Sequence, residues 1–303
     1  MDRRLFLALA ASGLTTASSA MAATRGKDSR RWGLQLFTVL APLEVDFPGV
    51  LKQVARMGYV EVETIGSFGR DPAYVRDLLD QNGLVSPSQH LSPKDIYSSF
   101  RAWSRREIST EENRANYTRA FSLENAMAVV EDGVASAKVM GQTYITWPIL
   151  MPAHLADRRT LDAYIALFNA AGALCAREGL VFAYHNHDRE FAKLGGEVMY
   201  DLILAGTDAN LVKLEMDLFW VTKAKVDPIV YLQREAGRIK ACHLKDMSAE
   251  GDFAVVGEGM LDVPGLVKAA RASGVEHFFV EYDRSNDPLA ESRRSLAYLR
   301  GLR

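Results

Sequence analysis

The stretch Glu178-Gly179-Leu180-Val181-Phe182-Ala183-Tyr184-His185-Asn186-His187-Asp188 carries three signals in sequence. A glycine following a helical pattern reads as a left-handed C-cap, a conformation glycine adopts at little cost. The apolar and aromatic run after it reads as a buried strand. That run then ends in His, Asn, His and Asp, so the polar residues gather at the strand's carboxyl end.

The same unit recurs along the chain. Glycines with the same reading occur at Met57-Gly58-Tyr59, Asn82-Gly83-Leu84, Met140-Gly141-Gln142 and Ser273-Gly274-Val275. Strand-like runs fall at residues 32–37, 59–63, 84–90, 143–147, 180–187, 211–217, 239–244 and 277–282. Helical spacing fills intervals between them, at 47–57, 72–81, 122–140 and 160–178. Strands alternating with helices imply a parallel sheet, and eight such units suggest closure into a (β/α)8 TIM barrel. A domain over residues 31–303 matches the ~250 residues typical of that fold. No G-x-G-x-x-G opens the first helix, which removes the usual dinucleotide-binding reading.

Residues 91–121 break the rhythm with a long polar and aromatic segment holding Phe100, Trp103, Arg105, Arg106 and Tyr117. Following a strand's carboxyl end, it reads either as a solvated excursion or as a lid facing substrate.

The first residues read differently. A charged start with Arg3-Arg4, an apolar run and the small-residue stretch Ala20-Met21-Ala22 form an expected signal peptide over 1–22. The paired arginines before x-Phe-Leu point to the twin-arginine type and thus to the periplasm. No other stretch approaches the ~20 apolar residues of a membrane span, so none is expected in the mature chain. Cys175 and Cys242 are too few for a disulfide scaffold and read as buried apolar residues. The formal charge is −2, and residues 2–4 supply +1 of it, so the remainder is mildly acidic. That balance argues against nucleic acid as a partner, and an endonuclease would need a basic groove.

Polar clusters end the last four strand candidates: His185-Asn186-His187-Asp188, Glu215-Met216-Asp217, His243-Leu244-Lys245-Asp246 and Glu281-Tyr282-Asp283. In a barrel these ends meet at one mouth. His, Asp, His and Glu converging there fit a divalent metal with nitrogen and oxygen ligands.

Tyr184-His185-Asn186-His187-Asp188, Asp217-Leu218-Phe219-Trp220-Val221, His243-Leu244-Lys245-Asp246, Gly257-Glu258-Gly259 and Glu281-Tyr282-Asp283, with Gly33-Leu34-Gln35-Leu36 near the start, resemble the sugar phosphate isomerase/epimerase family. These are the xylose isomerase-like TIM barrels, and the resemblance covers essentially the whole mature chain. It implies one divalent metal ion, Mn by preference with Mg, Co or Zn as alternatives. The family's ligands are a Glu, an Asp, a His and a final Glu on successive strand ends. Carried over by position, Asp217, His243 and Glu281 fill the last three places, and His185 stands where the first Glu is expected. Side chains alternate along a strand, so His185 and His187 point the same way. Either can then reach the metal; His185 is the preferred ligand, with His187 as the catalytic or substrate-contacting group.

Glu281 is then the family-matched base, and its acid–base partner is His187, His185 or Glu258. Lys245, Trp220, His90 and Arg284 are the expected substrate contacts. The expected reaction is isomerisation or epimerisation of a small, unphosphorylated sugar or keto-sugar through a metal-stabilised enediolate. The alternatives are β-elimination from a 3-keto-sugar or inosose by a lyase or dehydratase, and a non-catalytic periplasmic sugar binder. A homodimer is compatible with the sequence.

Overall fold

The computed structural model describes residues 31–302, and the signal peptide expected over 1–22 lies outside them. The chain from Arg31 onward forms one compact unit. Its barrel strands are β1 (Gly33–Gln35), β2 (Glu61–Ile65), β3 (Val85–His90), β4 (Tyr144–Trp147), β5 (Val181–His185), β6 (Val212–Asp217), β7 (Ile239–Leu244) and β8 (His277–Val280). They close in the order β1-β8-β7-β6-β5-β4-β3-β2, and β1 completes the ring by pairing in parallel with both β8 and β2. This is the expected TIM barrel.

The barrel's packing follows from the alternation along each strand. In β5, Phe182 and Tyr184 turn outward and meet Phe168 on the covering helix, at ring centroid distances of 5.6 and 5.0 Å. The intervening residues look inward, and there the interior is largely polar. Low in the barrel His277 Nδ1 lies 2.9 Å from Glu61 Oε2. Closure needs a small residue at Gly33, because a Cβ there would stand 2.4 Å from the Phe279 ring.

The covering helices start, in several cases, where the sequence offers a cap. Those in chain order are α1 (Leu40–Val45), α2 (Phe47–Met57), α3 (Pro72–Gln81), α4 (Lys94–Ser104), α5 (Thr110–Ala120), α6 (Ala126–Met140) and α7 (Arg158–Arg177). They continue as α8 (Met199–Gly206), α9 (Leu218–Lys223), α10 (Pro228–Arg234), α11 (Val263–Ala272) and α12 (Pro288–Gly301). Asp157 accepts from the Thr160 backbone N–H at 2.8 Å, so α7 begins two residues earlier than its periodicity suggests. Gly58 ends α2 at φ 97°, a left-handed cap as expected.

The segment after β3 folds into α4 and α5 instead of remaining a polar loop. Ser109 caps α5 by accepting from the Glu112 N–H at 3.0 Å. Phe100 and Tyr117 pack edge to face across the two helices, with centroids 4.8 Å apart. Both helices contribute walls to the cavity at the barrel mouth. Cys175 and Cys242 are both buried and unpaired. No described helix is long and apolar enough to cross a membrane.

Candidate metal and proton-transfer site

The sequence from Tyr184 to Glu190 shows how one strand end builds a site. Tyr184 faces outward, and its hydroxyl donates to Glu190 Oε1 at 2.5 Å. The same oxygen accepts the His187 backbone N–H at 3.1 Å, fixing the turn that follows β5. Asn186 accepts from the Asp217 N–H at 3.2 Å and donates weakly to the Asp217 carbonyl at 3.5 Å, tying the ends of β5 and β6 together. His185 and His187, two residues apart, are left facing the mouth.

Three more strands bring their polar ends to the same place. Asp217 caps α9 through Oδ1, which accepts from the Trp220 N–H at 3.0 Å. Its Oδ2 points into the barrel, 3.7 Å from His185 Nε2 and 3.0 Å from Lys245 Nζ. His243 Nδ1 lies 2.6 Å from Glu281 Oε2. Lys245 also reaches Glu281 Oε2 at 2.9 Å and Asp283 Oδ1 at 3.0 Å. Asp217, His243 and Glu281 set one ligand atom each within 4.8 Å of one another.

Under this layer lies a floor that sequence reasoning did not single out. Glu215 Oε1 is 2.7 Å from His90 Nε2, 3.0 Å from His185 Nδ1 and 3.0 Å from His243 Nε2. Glu63 Oε2 is 2.8 Å from His243 Nε2 and accepts from the Gln35 amide at 2.7 Å. His185 and His243 therefore stand with one ring nitrogen toward the mouth and the other toward a buried carboxylate. That is how metal-binding histidines are commonly held.

These contacts set opposite charge states on neighbouring imidazoles. Burial pulls His243 down, but Glu215 and Glu281 outweigh it and raise its pKa well above the usual value. Burial, followed by His243, lowers His185 to about 4. Burial, then His185 and Lys245, drops His187 well below its usual range, which keeps the imidazole neutral. Burial opposes the charge on Glu281, yet Lys245 and His243 hold it well below the ordinary carboxylate range. Asp283 is pushed up to about 7 by burial, against the pull of Lys245.

The donor set fits a divalent cation. Glu215 Oε2 and Glu63 Oε1 are buried without hydrogen-bond partners, and Asp217 Oδ2 has only the Lys245 ammonium at 3.0 Å; buried carboxylate oxygens left this way are costly unless something binds them. His185 Nε2, Asp217, His243 Nδ1 and Glu281 are the residues that would hold the ion.

A cavity of about 320 Å³ opens above this cluster. His90, His185, His187, Trp220, Lys245, Glu281, Asp283 and Arg284 all line it, joined by Phe37, Phe100, Trp103 and Tyr117. The structure thus brings nearly every expected site residue to one mouth. His90 sits lower than expected of a substrate contact, and only 12% of its side chain is exposed. Arg284 stays at the rim, largely exposed. The Trp220 indole N–H faces no partner.

Glu258 is the exception. Its carboxylate is half exposed and pairs with Arg294 at 2.7 Å, and it does not line the cavity. The Gly257-Glu258-Gly259 segment contributes backbone instead. Asp246 Oδ2 accepts from the Gly257 and Gly259 N–H groups at 2.8 and 3.1 Å, which pins this loop to the end of β7. A Cβ at Gly259 would stand 2.2 Å from Asp246 Oδ1. The motif residue is glycine for that close approach, and the glutamate between is turned outward.

The family model for the xylose isomerase-like TIM barrel matches residues 51–302. The chain belongs to that family. It is 28% identical over 230 residues to an inosose dehydratase of Geobacillus kaustophilus, spanning 71% of this chain and 70% of the relative. An inosose dehydratase of Geobacillus thermodenitrificans is 24% identical over 81% of this chain and 84% of its own. A solved sugar phosphate isomerase/epimerase from Parabacteroides distasonis is 26% identical, with a TM-score of 0.74 over 89% of this chain and 98% of that one. The relatives are enzymes, and so is this chain.

Proposed function

We propose that this enzyme removes a proton beside the carbonyl of a keto-sugar or inosose, with a divalent metal at the His185, Asp217, His243 and Glu281 cluster. The observation that carries the reading is the convergence of these donors, with two unpartnered buried carboxylate oxygens on Glu63 and Glu215, at the base of a sugar-sized cavity. A cation bound there supplies a Lewis acid that steadies negative charge on the carbonyl oxygen.

The remaining steps belong to the chain's own groups. Lys245, held as an ammonium among three carboxylates, can turn one N–H to a substrate hydroxyl. The His187 imidazole, which lines the cavity, is the group placed to reach the substrate's proton. Asp283, near 7, can return one to a departing hydroxyl, so that water leaves from the carbon next to the deprotonated one.

Loss of Glu258 from the site weighs on the choice of reaction. Epimerisation needs a group to reprotonate the second face, and Glu281 is already tied to Lys245 and His243. Elimination of water needs no second face, and the relatives named inosose dehydratase point the same way. We therefore place β-elimination first. Isomerisation or epimerisation is the second reading, favoured by having both His187 and Glu281 within one cavity and by the Parabacteroides distasonis relative. We also retain the periplasm as the compartment and an unphosphorylated sugar as the substrate.

The test pairs metal analysis with mass spectrometry of products from scyllo-inosose and a panel of 3-keto-sugars. Loss of water marks the dehydratase, and a mass-neutral product marks the isomerase. His187→Ala and Glu281→Gln should each lower turnover by about 10²-fold or more. Full turnover in both variants sinks the assignment.

A further inference from the structure

We propose that the outer part of the cavity is a subsite for a flat, apolar aglycone, so that the substrate is a keto-glycoside carrying an aryl group rather than a free keto-sugar. This rests on the reading of the site as one for a keto-sugar and names what else that substrate carries.

Two aromatic walls flank the cavity, and they come from opposite sides of the barrel. The first is built after β1 and β3: Phe37 follows β1, and Phe100, Trp103 and Tyr117 come from α4 and α5. The Phe37 and Phe100 rings meet with centroids 5.5 Å apart, and Phe100 meets Tyr117 at 4.8 Å. Leu91, after β3, and Ile149 and Met151, after β4, extend this apolar side. The second wall follows β6 and β7, where Trp220 and Phe253 line the cavity with centroids 5.6 Å apart. Phe253 sits on a short hairpin that pairs residues 246–247 with 253–254, and it stacks on Phe219 at 4.6 Å. In the closed strand order β7 lies opposite β3, and β6 lies opposite β2. Phe37, Trp103, Tyr117, Trp220 and Phe253 are each only half-buried, although all of them line the cavity.

The base of the cavity and its walls differ in chemistry. Lys245 Nζ lies 5.6 Å from the Trp220 ring centroid and 5.8 Å from that of Phe253, so the second wall begins where a sugar hydroxyl is bound. The buried, unpartnered Trp220 indole N–H adds a donor for a sugar oxygen. One ring is enough to cover the C–H face of a keto-sugar, and Trp220 supplies it. The first wall is then left without a partner. A free keto-sugar carries an oxygen on nearly every carbon, and desolvating those oxygens against rings has a cost that no hydrogen bond offsets. An aryl group has no such oxygens, and aromatic side chains pack on it edge to face or offset.

The segment that interrupts the strand–helix alternation is what builds most of the first wall. The barrel strands and the residues just past them supply the polar cluster, whereas α4 and α5 bring mainly rings to the cavity. Their neutral polar lining residues are engaged between the two helices. Thr110 Oγ1 accepts from Trp103 Nε1 at 3.1 Å, and Asn113 Oδ1 accepts from the Ser99 hydroxyl at 2.8 Å. These bonds tie the helices into one wall. Arg114, their charged lining residue, is exposed.

Isothermal titration of the full-length, manganese-loaded protein with phenyl and methyl β-D-glucopyranoside reads the subsite without any reaction, because the two ligands share one sugar. The phenyl glycoside should bind on the order of 10-fold tighter. Trp103→Ala in one wall and Phe253→Ala in the other should each cut that preference to about threefold or less. The wild-type comparison needs no variant to fold. Equal affinity of the wild type for the two glycosides, or no binding of either, overturns the subsite, and so does a preference that both variants keep. The reaction is read separately, by product mass from scyllo-inosose and free keto-sugars. Equal affinities beside turnover of a free keto-sugar overturn the subsite and spare the reaction. A phenyl preference lost in both variants, with no keto-substrate turned over, supports the subsite and overturns the reaction.

Discussion

Glu190 should give the protein a measurable dependence of stability on pH, and Glu190→Gln should remove it. The carboxyl is fully buried, and burial raises its pKa from 4.5 to about 7, against the opposing pull of its bonds from Tyr184 and the His187 N–H. A raised folded pKa means that the native state holds this proton more tightly than the unfolded chain. The resulting stability is fully present below pH ~4.5 and is lost as pH rises through ~7. The gap is worth on the order of 3 kcal/mol at 1.36 kcal/mol per pH unit. Between pH 5 and pH 8 the group's contribution falls by about 2.5 kcal/mol. Glutamine keeps the oxygen that accepts both bonds and has no proton to lose. Urea unfolding of both proteins at several pH values checks this, because all other titrating groups cancel in the difference. Relative to wild type, the variant should gain about 2.5 kcal/mol from pH 5 to pH 8. Parallel curves would refute the reasoning and would mean that Glu190 is ionised in the native state throughout.

Two further outcomes test the packing and the expected export. Gly172 lies inside α7, where a Cβ would stand 2.6 Å from the Leu211 carbonyl oxygen. Gly172→Ala should therefore destabilise by ~1–3 kcal/mol despite alanine's better helix propensity, whereas Gly301→Ala, with open space around it, should be neutral or slightly stabilising in thermal melts. Equal melting temperatures for the two variants would contradict the close approach. Replacing Arg3 and Arg4 together by lysine should abolish periplasmic accumulation in cell fractionation if the twin-arginine reading holds, and unchanged export would exclude it.

The barrel was legible because its punctuation is local. Gly58, Gly83, Gly141, Gly179 and Gly274 all adopt positive φ, and the strand begins within a few residues of each. On β5 to β8 the site was legible for a different reason. Polar residues there interrupt apolar runs, so His185, Asp217, His243 and Glu281 stand out as residues with no reason to be apolar neighbours. Residues 91–121 were ambiguous because their apolar positions are few, and the pairing of Phe100 with Tyr117 is tertiary rather than periodic.

The floor was hidden in plain sight. Glu61-Val62-Glu63 alternates charged and apolar residues, which resembles a strand with one wet face, and Glu215 sits between Leu214 and Met216 in the same manner. That resemblance fails in a closed barrel, whose strands have no wet face: one side meets the helices and the other the interior. A charged residue in mid-strand must then face inward, and it must find a partner there. Glu61 finds His277. Glu63 and Glu215 lie higher, level with His243, and find imidazoles. Glu258 shows the converse error, since its place in a recurring motif reflects the glycines on either side of it and the carboxylate of Asp246 that they approach. Once closure is inferred, strand parity is the stronger guide: it selects Glu63 and Glu215 for the site and gives no support to Glu258, which lies on no strand.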